Sequence, residues 1–130
     1  MLQRTRRFPM GYAYRSTALV VENDESQRTL VSVLLEESEM NVIECESAEA
    51  AVLVLEESGD SVSMVVTDVE LAGMMDGIEL AYLAKQRYPN MHVVVTSGAP
   101  RVRRLPDGTL FMAKPWSPID LLRAAEQSLH

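Results

Sequence analysis

Apolar positions in this chain fall into short clusters separated by polar, turn-rich stretches, and the two kinds of segment alternate regularly. Ala18-Leu-Val-Val21 is an apolar run cut off by Glu22, Asn23 and Asp24, the pattern of a buried strand whose carboxyl end meets solvent. A helix is predicted next. Asp24 with Gln27 three residues on resembles a capping box, and Leu30, Val33 and Leu34, with Val31, supply an apolar face as far as Glu37 or Ser38. Asn41 to Cys45 reads as a second strand, and Ser47 caps a helix through Ala50, Ala51, Leu53, Val54 and Leu55 to Gly59.

The alternation continues. Val62 to Thr67 is a third strand ending at Asp68, followed by the turn-forming segment 71–77 and a helix from about Ile78 to Arg87, stopped by Tyr88-Pro89. Met91 to Val95 is a fourth strand with Thr96-Ser97-Gly98 at its end, and Leu110 to Ala113 a short fifth before Lys114-Pro115. The last helix runs from Pro118 to about Leu129, with Ser117 as cap and Pro118 in the first turn, where a missing N–H costs nothing. Between the last two strands, Pro100, Pro106, Gly108 and three arginines leave no room for a full helix, so that connection is expected to be irregular or mobile. Strands alternating with helices at this spacing imply an α/β fold, a doubly wound five-stranded parallel sheet with a shortened or irregular fourth helix.

Composition narrows the picture. Hydrophobic residues make up 47% and charged residues 24% of the 130 positions, ordinary values for one globular domain with a real core. The expected organisation is a basic, flexible arm over 1–16 and one domain over 17–130, with no sequence left for an output domain. No apolar run approaches the ~18 residues that span a bilayer, so no membrane partner is expected. The opening segment lacks the apolar stretch and cleavage site of a secretory signal. Cys45 stands alone, without metal-ligand spacing or a basic neighbour, and reads as a small buried residue in a reducing cytoplasm. Net charge is −7; setting aside Arg4, Arg6, Arg7 and Arg15 of the arm leaves about −11 on the body, which argues against direct DNA binding.

Open parallel sheets gather their functional groups at the carboxyl ends of strands. Those ends carry Glu22, Asn23 and Asp24, then Asp68, then Thr96 and Ser97, then Lys114. Any one of them alone is an ordinary loop residue; together at four strand ends they form a candidate site. His92 and His130, at a strand start and the chain end, suggest no catalysis.

At these residues the sequence resembles the receiver domains of bacterial response regulators, over essentially Thr17 to His130. The resemblance rests on Val20-Val-Glu-Asn-Asp24, Thr67-Asp-Val-Glu-Leu-Ala-Gly-Met-Met-Asp-Gly77, Val95-Thr-Ser-Gly98 and Ala113-Lys-Pro115. It implies flavodoxin-like topology and a two-component phosphoprotein that accepts a phosphoryl group on Asp68 from a histidine kinase or phosphotransfer protein. It implies Mg²⁺ held by Glu22, Asn23, Asp68 and the backbone carbonyl of Glu70, with Asp24 as a further candidate. Lys114 and a hydroxyl from Ser97 or Thr96 would bind the phosphoryl oxygens, and Phe111 would be the switch aromatic, though an ordinary half-buried strand residue reads equally well there. Signalling by protein contact is implied, the downstream target is not identified, and a homodimer is left open.

The pattern departs from the family in places. Asn23 stands where an aspartate is usual, which should weaken Mg²⁺ binding because an amide brings no charge. Ala72 replaces the usual proline, the turn after Asp68 is one residue longer, and the reduced fourth helix should make partner choice unusual. The main alternative is a degenerate pseudo-receiver that binds its partner without phosphate. An enzyme of phosphate esters is a weaker one, since no Gly-rich phosphate loop follows the first strand and none of the chain is left over for a cap; self-phosphorylation and dephosphorylation are the only chemistry expected.

Overall fold

The computed structural model describes residues 3–5, 15–100 and 103–129. The elements are β1 (Gln3–Thr5), β2 (Thr17–Val21), α1 (Glu25–Glu37), β3 (Asn41–Cys45), α2 (Ala48–Ser58), β4 (Val62–Asp68), α3 (Gly77–Arg87), β5 (His92–Ser97), β6 (Thr109–Ala113) and α4 (Pro118–Ser128), with a 3₁₀ turn at Gly59–Ser61 before β4. The sheet order is β1-β3-β2-β4-β5-β6. The five strands from β2 onward pair in parallel, as the alternation requires. β1 adds a sixth, antiparallel strand on the edge of β3, with Arg4 opposite Glu44 in the register. This corrects the sequence reading at one point: Gln3–Thr5, assigned to the flexible arm, is a strand; the remainder of the arm up to residue 14 lies outside the described residues.

Strand side chains alternate between two buried faces. Leu19, Val21, Val65, Val93 and Val95 face α2 and α3, where Ala51, Leu55, Leu80 and Ala84 close the layer. Ala18, Val20, Met64, Val66 and Val94 face α1 and α4 and meet Val31, Leu35, Leu121 and Ala125. Both faces of the sheet are covered, which is why the central strands read as continuous apolar runs rather than alternating ones.

The helix starts follow their caps. Asp24 accepts from Gln27 N–H at 2.9 Å and Ser47 from Ala50 N–H at 3.1 Å, while Asp76 and Glu79 form a reciprocal capping box at the start of α3. The face of α1 differs from the expected one. Val31, Ser32 and Leu35 are buried, whereas Leu30 and Val33 are exposed and Leu34 only packs at the margin.

No helix lies between β5 and β6 among the described residues. The irregular connection is nonetheless attached to the body: Leu105 is buried in the α2/α3 layer, and Tyr82 O–H donates to Arg104 C=O at 2.7 Å. Arg103 pairs with the capping residue Asp76.

Candidate functional site

In the sheet order, β2 is flanked on one side by β3 and on the other by β4, so the connections leave it in opposite directions and open a crevice at the carboxyl ends. The last residue of β4 is Asp68, and Glu22 directly follows β2. Both are buried, at 6% and 5% exposure. Lys114, just past β6, reaches over the end of β5. Its Nζ lies 3.2 Å from Asp68 Oδ2 and 3.3 Å from Glu22 Oε2. One ammonium is shared between two carboxylates that would otherwise repel each other across the crevice.

The electrostatics follow from this crowding. Burial is the main cause of a raised pKa at Glu22; the Asp68 charge adds to it, and the Asp24 N–H and Lys114 oppose it without cancelling it. Burial works against the charged form of Lys114, but the attraction of Glu22 and Asp68 outweighs it and the ammonium is held more firmly than usual. The second oxygen of Glu22 accepts from Asp24 N–H at 3.1 Å. Asp68 Oδ1, by contrast, is buried with no hydrogen-bond partner among the described residues.

The other expected residues are placed less uniformly. Asn23 and Asp24 are exposed, and the Asp24 carboxylate is occupied by the α1 cap. Ser97 is buried, but its Oγ donates to the Glu70 carboxylate, at 3.0 and 3.1 Å from the two oxygens, rather than to Asp68. Thr96 is buried opposite Asp68 in the strand register, with its carbonyl accepting from Val69 N–H. Phe111 is half-buried beside Val95, packed on the α2/α3 layer and therefore on the same face as Ser97, two positions further along β5.

One residue enters that the sequence reading did not single out, and another enters in a new role. The Glu49 carboxylate, in the first turn of α2, accepts from the backbone N–H groups of Met74 and Met75, both at 2.9 Å, and so clasps the loop that follows Asp68. Its own backbone N–H, and after it those of Met75 and Met74, hold its carboxyl below the usual range. Its position in a helix first turn was visible, but nothing in the sequence signals its reach to residues 25 positions away. Glu70 was considered for its carbonyl alone, whereas here its side chain engages Ser97. Gly77 is demanded by space: a Cβ there would lie 1.9 Å from the Asp68 carbonyl oxygen. The start of α3 therefore packs directly on the backbone that carries Asp68.

The Mg²⁺ implied by the resemblance meets a modest donor set. Among the described residues no group of three or more His, Cys, Asp or Glu is arranged to hold a metal. Mg²⁺ keeps several waters and is commonly held by one or two carboxylates, and Asp68 Oδ1 is a buried hard-oxygen donor without a partner beside a second carboxylate. The residues fit such a cation.

Comparison with known proteins agrees with this layout. Residues 18–126 match the family described as response regulator receiver domain. Putative response regulators NtrX-like from Rickettsia conorii and Rickettsia bellii are 35% and 32% identical over 81 residues, 62% of this chain. The matched segment spans only 17% and 16% of those relatives. A response regulator receiver protein from Sinorhizobium medicae superposes with a TM-score of 0.81 at 24% identity, covering 89% of this chain and 95% of that one. The receiver domain from hybrid histidine kinase CckA gives 0.76 at 25% identity, covering 88% of this chain and all of that one.

Proposed function

The chain belongs to the response regulator receiver domains of two-component systems, and we propose that Asp68 is its phosphoryl acceptor. The observation that carries this reading is the division of labour between the two oxygens of Asp68: Oδ2 is held by Lys114, while the buried Oδ1 has no hydrogen-bond partner among the described residues. A carboxylate is a weak nucleophile, so fixing one oxygen and excluding bulk water orients the group for in-line attack.

The donor is a phosphohistidine on a histidine kinase or phosphotransfer protein. An Asp68 carboxylate oxygen attacks phosphorus, the P–N bond breaks as the P–O bond forms, and the imidazole leaves with the bonding electron pair and takes up a proton. Lys114 then has a phosphoryl oxygen as a third anionic neighbour and serves as its counter-charge. Glu22 and Asp68, with the Asn23 amide and the Glu70 carbonyl at the rim, would hold Mg²⁺, which supplies charge neutralisation between the carboxylate and the incoming phosphoryl oxygens. Phe111 shares a face with Ser97, so movement of the Ser97 side chain changes the space into which the ring can turn. The output is a contact with another protein.

The test is labelling by acetyl phosphate with and without Mg²⁺, using Asp68→Asn as control. Metal-dependent modification of the wild type alone is expected. Equal absence of label in both, with acetyl phosphate and with a panel of kinases, would overturn the reading in favour of a phosphate-independent binding module. Trp116 lines a groove with Lys114 and provides a fluorescence signal for Mg²⁺ titration; a response that Asp68→Asn abolishes is expected.

A further inference from the structure

The Ser97 hydroxyl is committed to a partner that the phosphoryl chemistry does not use. Its Oγ accepts from Ala99 N–H at 3.1 Å and has the Glu70 carboxylate oxygens at 3.0 and 3.1 Å and the Ala99 carbonyl at 3.3 Å as possible acceptors. A serine hydroxyl has a single hydrogen to donate, and an ionised carboxylate is the strongest acceptor within reach. The backbone around it is already tied down: Lys114 N–H donates to Ser97 C=O at 2.8 Å, and Val69 N–H to Thr96 C=O at 2.9 Å. Ser97 therefore sits on the same backbone frame as Asp68 and Lys114, and only its side-chain torsion separates a hydroxyl aimed at Glu70 from one aimed elsewhere.

We propose that Glu70 is a positioning residue that competes with the phosphoryl group for the Ser97 hydroxyl, holding the unphosphorylated form and setting how readily a phosphoryl-like anion is accepted at Asp68. Glu70 follows Asp68 by two residues, so the competing anion is built into the loop that the modified residue begins. A phosphoryl group on Asp68 offers the hydroxyl a second anionic acceptor and brings negative charge toward the Glu70 carboxylate. Both effects favour release of Ser97 from Glu70. The same geometry selects Ser97 over Thr96 as the responding hydroxyl. The inference rests on Asp68 being the acceptor.

The experiment uses beryllofluoride with Mg²⁺ as the phosphoryl mimic, with affinity read through Trp116, on wild type, Glu70→Ala, Ser97→Ala and the double variant. Glu70→Ala is expected to tighten binding by about five- to tenfold, the order of one net hydrogen bond removed from the free form. In the Ser97→Ala background that gain should fall below about twofold, because the hydroxyl being competed for is gone. Glu70→Gln, which keeps an uncharged acceptor, should give a smaller gain than Glu70→Ala. In the ligand-free protein, the amide resonance of Ala99 should shift in Glu70→Ala, since its N–H is bonded to Ser97 Oγ.

An equal gain in both backgrounds would show that Glu70 acts through charge alone and would overturn the competition. So would the absence of any gain, or an Ala99 amide unmoved in a variant that still binds the mimic. Failure of every form, wild type included, to bind beryllofluoride would overturn the Asp68 reading and the competition with it.

Discussion

Lys114 Nζ lies 3.2 Å from Asp68 Oδ2, a contact that joins residues 46 positions apart and brings the only cation between two buried carboxylates among the described residues. Removing it leaves Glu22 and Asp68 facing each other without compensation. Lys114→Ala is expected to lower stability by roughly 1–3 kcal/mol at pH 7. The loss should shrink toward pH 4 as Glu22, whose pKa is raised, protonates. Because the ammonium's pKa is raised above 10.5, its stabilising contribution is complete below that value and is lost as pH rises through the folded-state value. Urea unfolding across pH reads both effects; a variant as stable as wild type at pH 7 would contradict the shared-cation account.

Glu22 titrates with the same sign, but in acid rather than in base. Its pKa is raised from 4.5, so between that value and the folded-state value the native protein binds more protons than the unfolded chain, and stability falls as pH rises through that window. Glu22→Gln has no such loss. The difference in unfolding free energy, variant minus wild type, should increase between pH 4 and pH 7, and a constant difference would show that burial of this carboxylate carries no charge penalty.

The Glu49 clasp predicts acid sensitivity of the loop beyond Asp68. Its carboxyl is held below the usual 4.5, so its contribution is present above that value and lost as pH falls through the lower folded-state value. Amide hydrogen exchange at Met74 and Met75 should be faster in Glu49→Gln than in wild type at pH 7. The two proteins should converge in acid.

Gly77→Ala tests the contact between α3 and the Asp68 backbone. With 1.9 Å available between a Cβ and the Asp68 carbonyl oxygen, backbone on one side or the other must move, at an expected cost of about 1–3 kcal/mol or more. Thermal unfolding gives the cost, and chemical-shift changes at Asp68 and Val69 would locate it. A neutral substitution would mean that the start of α3 shifts freely.

Two substitutions on α1 separate its true inner face from the expected one. Leu35→Ala, at a fully buried position, should cost about 2–5 kcal/mol, whereas Leu30→Ala should cost less than about 1 kcal/mol. Equal losses would restore the expected face.

That misreading of α1 shows where sequence patterns stop being informative. Residues 30, 31, 33, 34 and 35 are all apolar, so two overlapping stripes are available at helical spacing, and periodicity does not choose between them. The packing chooses 31 and 35, and the small Ser32 is buried between them. The strands suffered no such ambiguity, because clusters as short as Ala18–Val21 or Val93–Val95 bounded by polar turns have one reading, and the strand-end positions of Glu22, Asp68, Ser97 and Lys114 followed from them. Gln3–Thr5 was invisible, since Gln-Arg-Thr has no apolar alternation and its pairing is decided by the free edge of β3. Glu49 and Glu70 were hidden for a related reason: their roles lie in contacts to residues 25 to 27 positions away, and an acidic residue in a first turn or a loop looks the same whether solvated or engaged. Asp24 was legible as a cap and as a metal candidate at once, and the structure shows the cap.

The connection between β5 and β6 is a strap rather than a rod, and that difference has mechanical weight. A helix passes a displacement along its whole length as a rigid body. This segment is instead fastened at separate points: Ala99 N–H on Ser97, Arg103 on Asp76, Arg104 C=O under the Tyr82 hydroxyl, and Leu105 in the core. Each fastening holds its own stretch, so the contour of the connection is set point by point, at Ser97, Asp76, Tyr82 and the core, rather than along one axis.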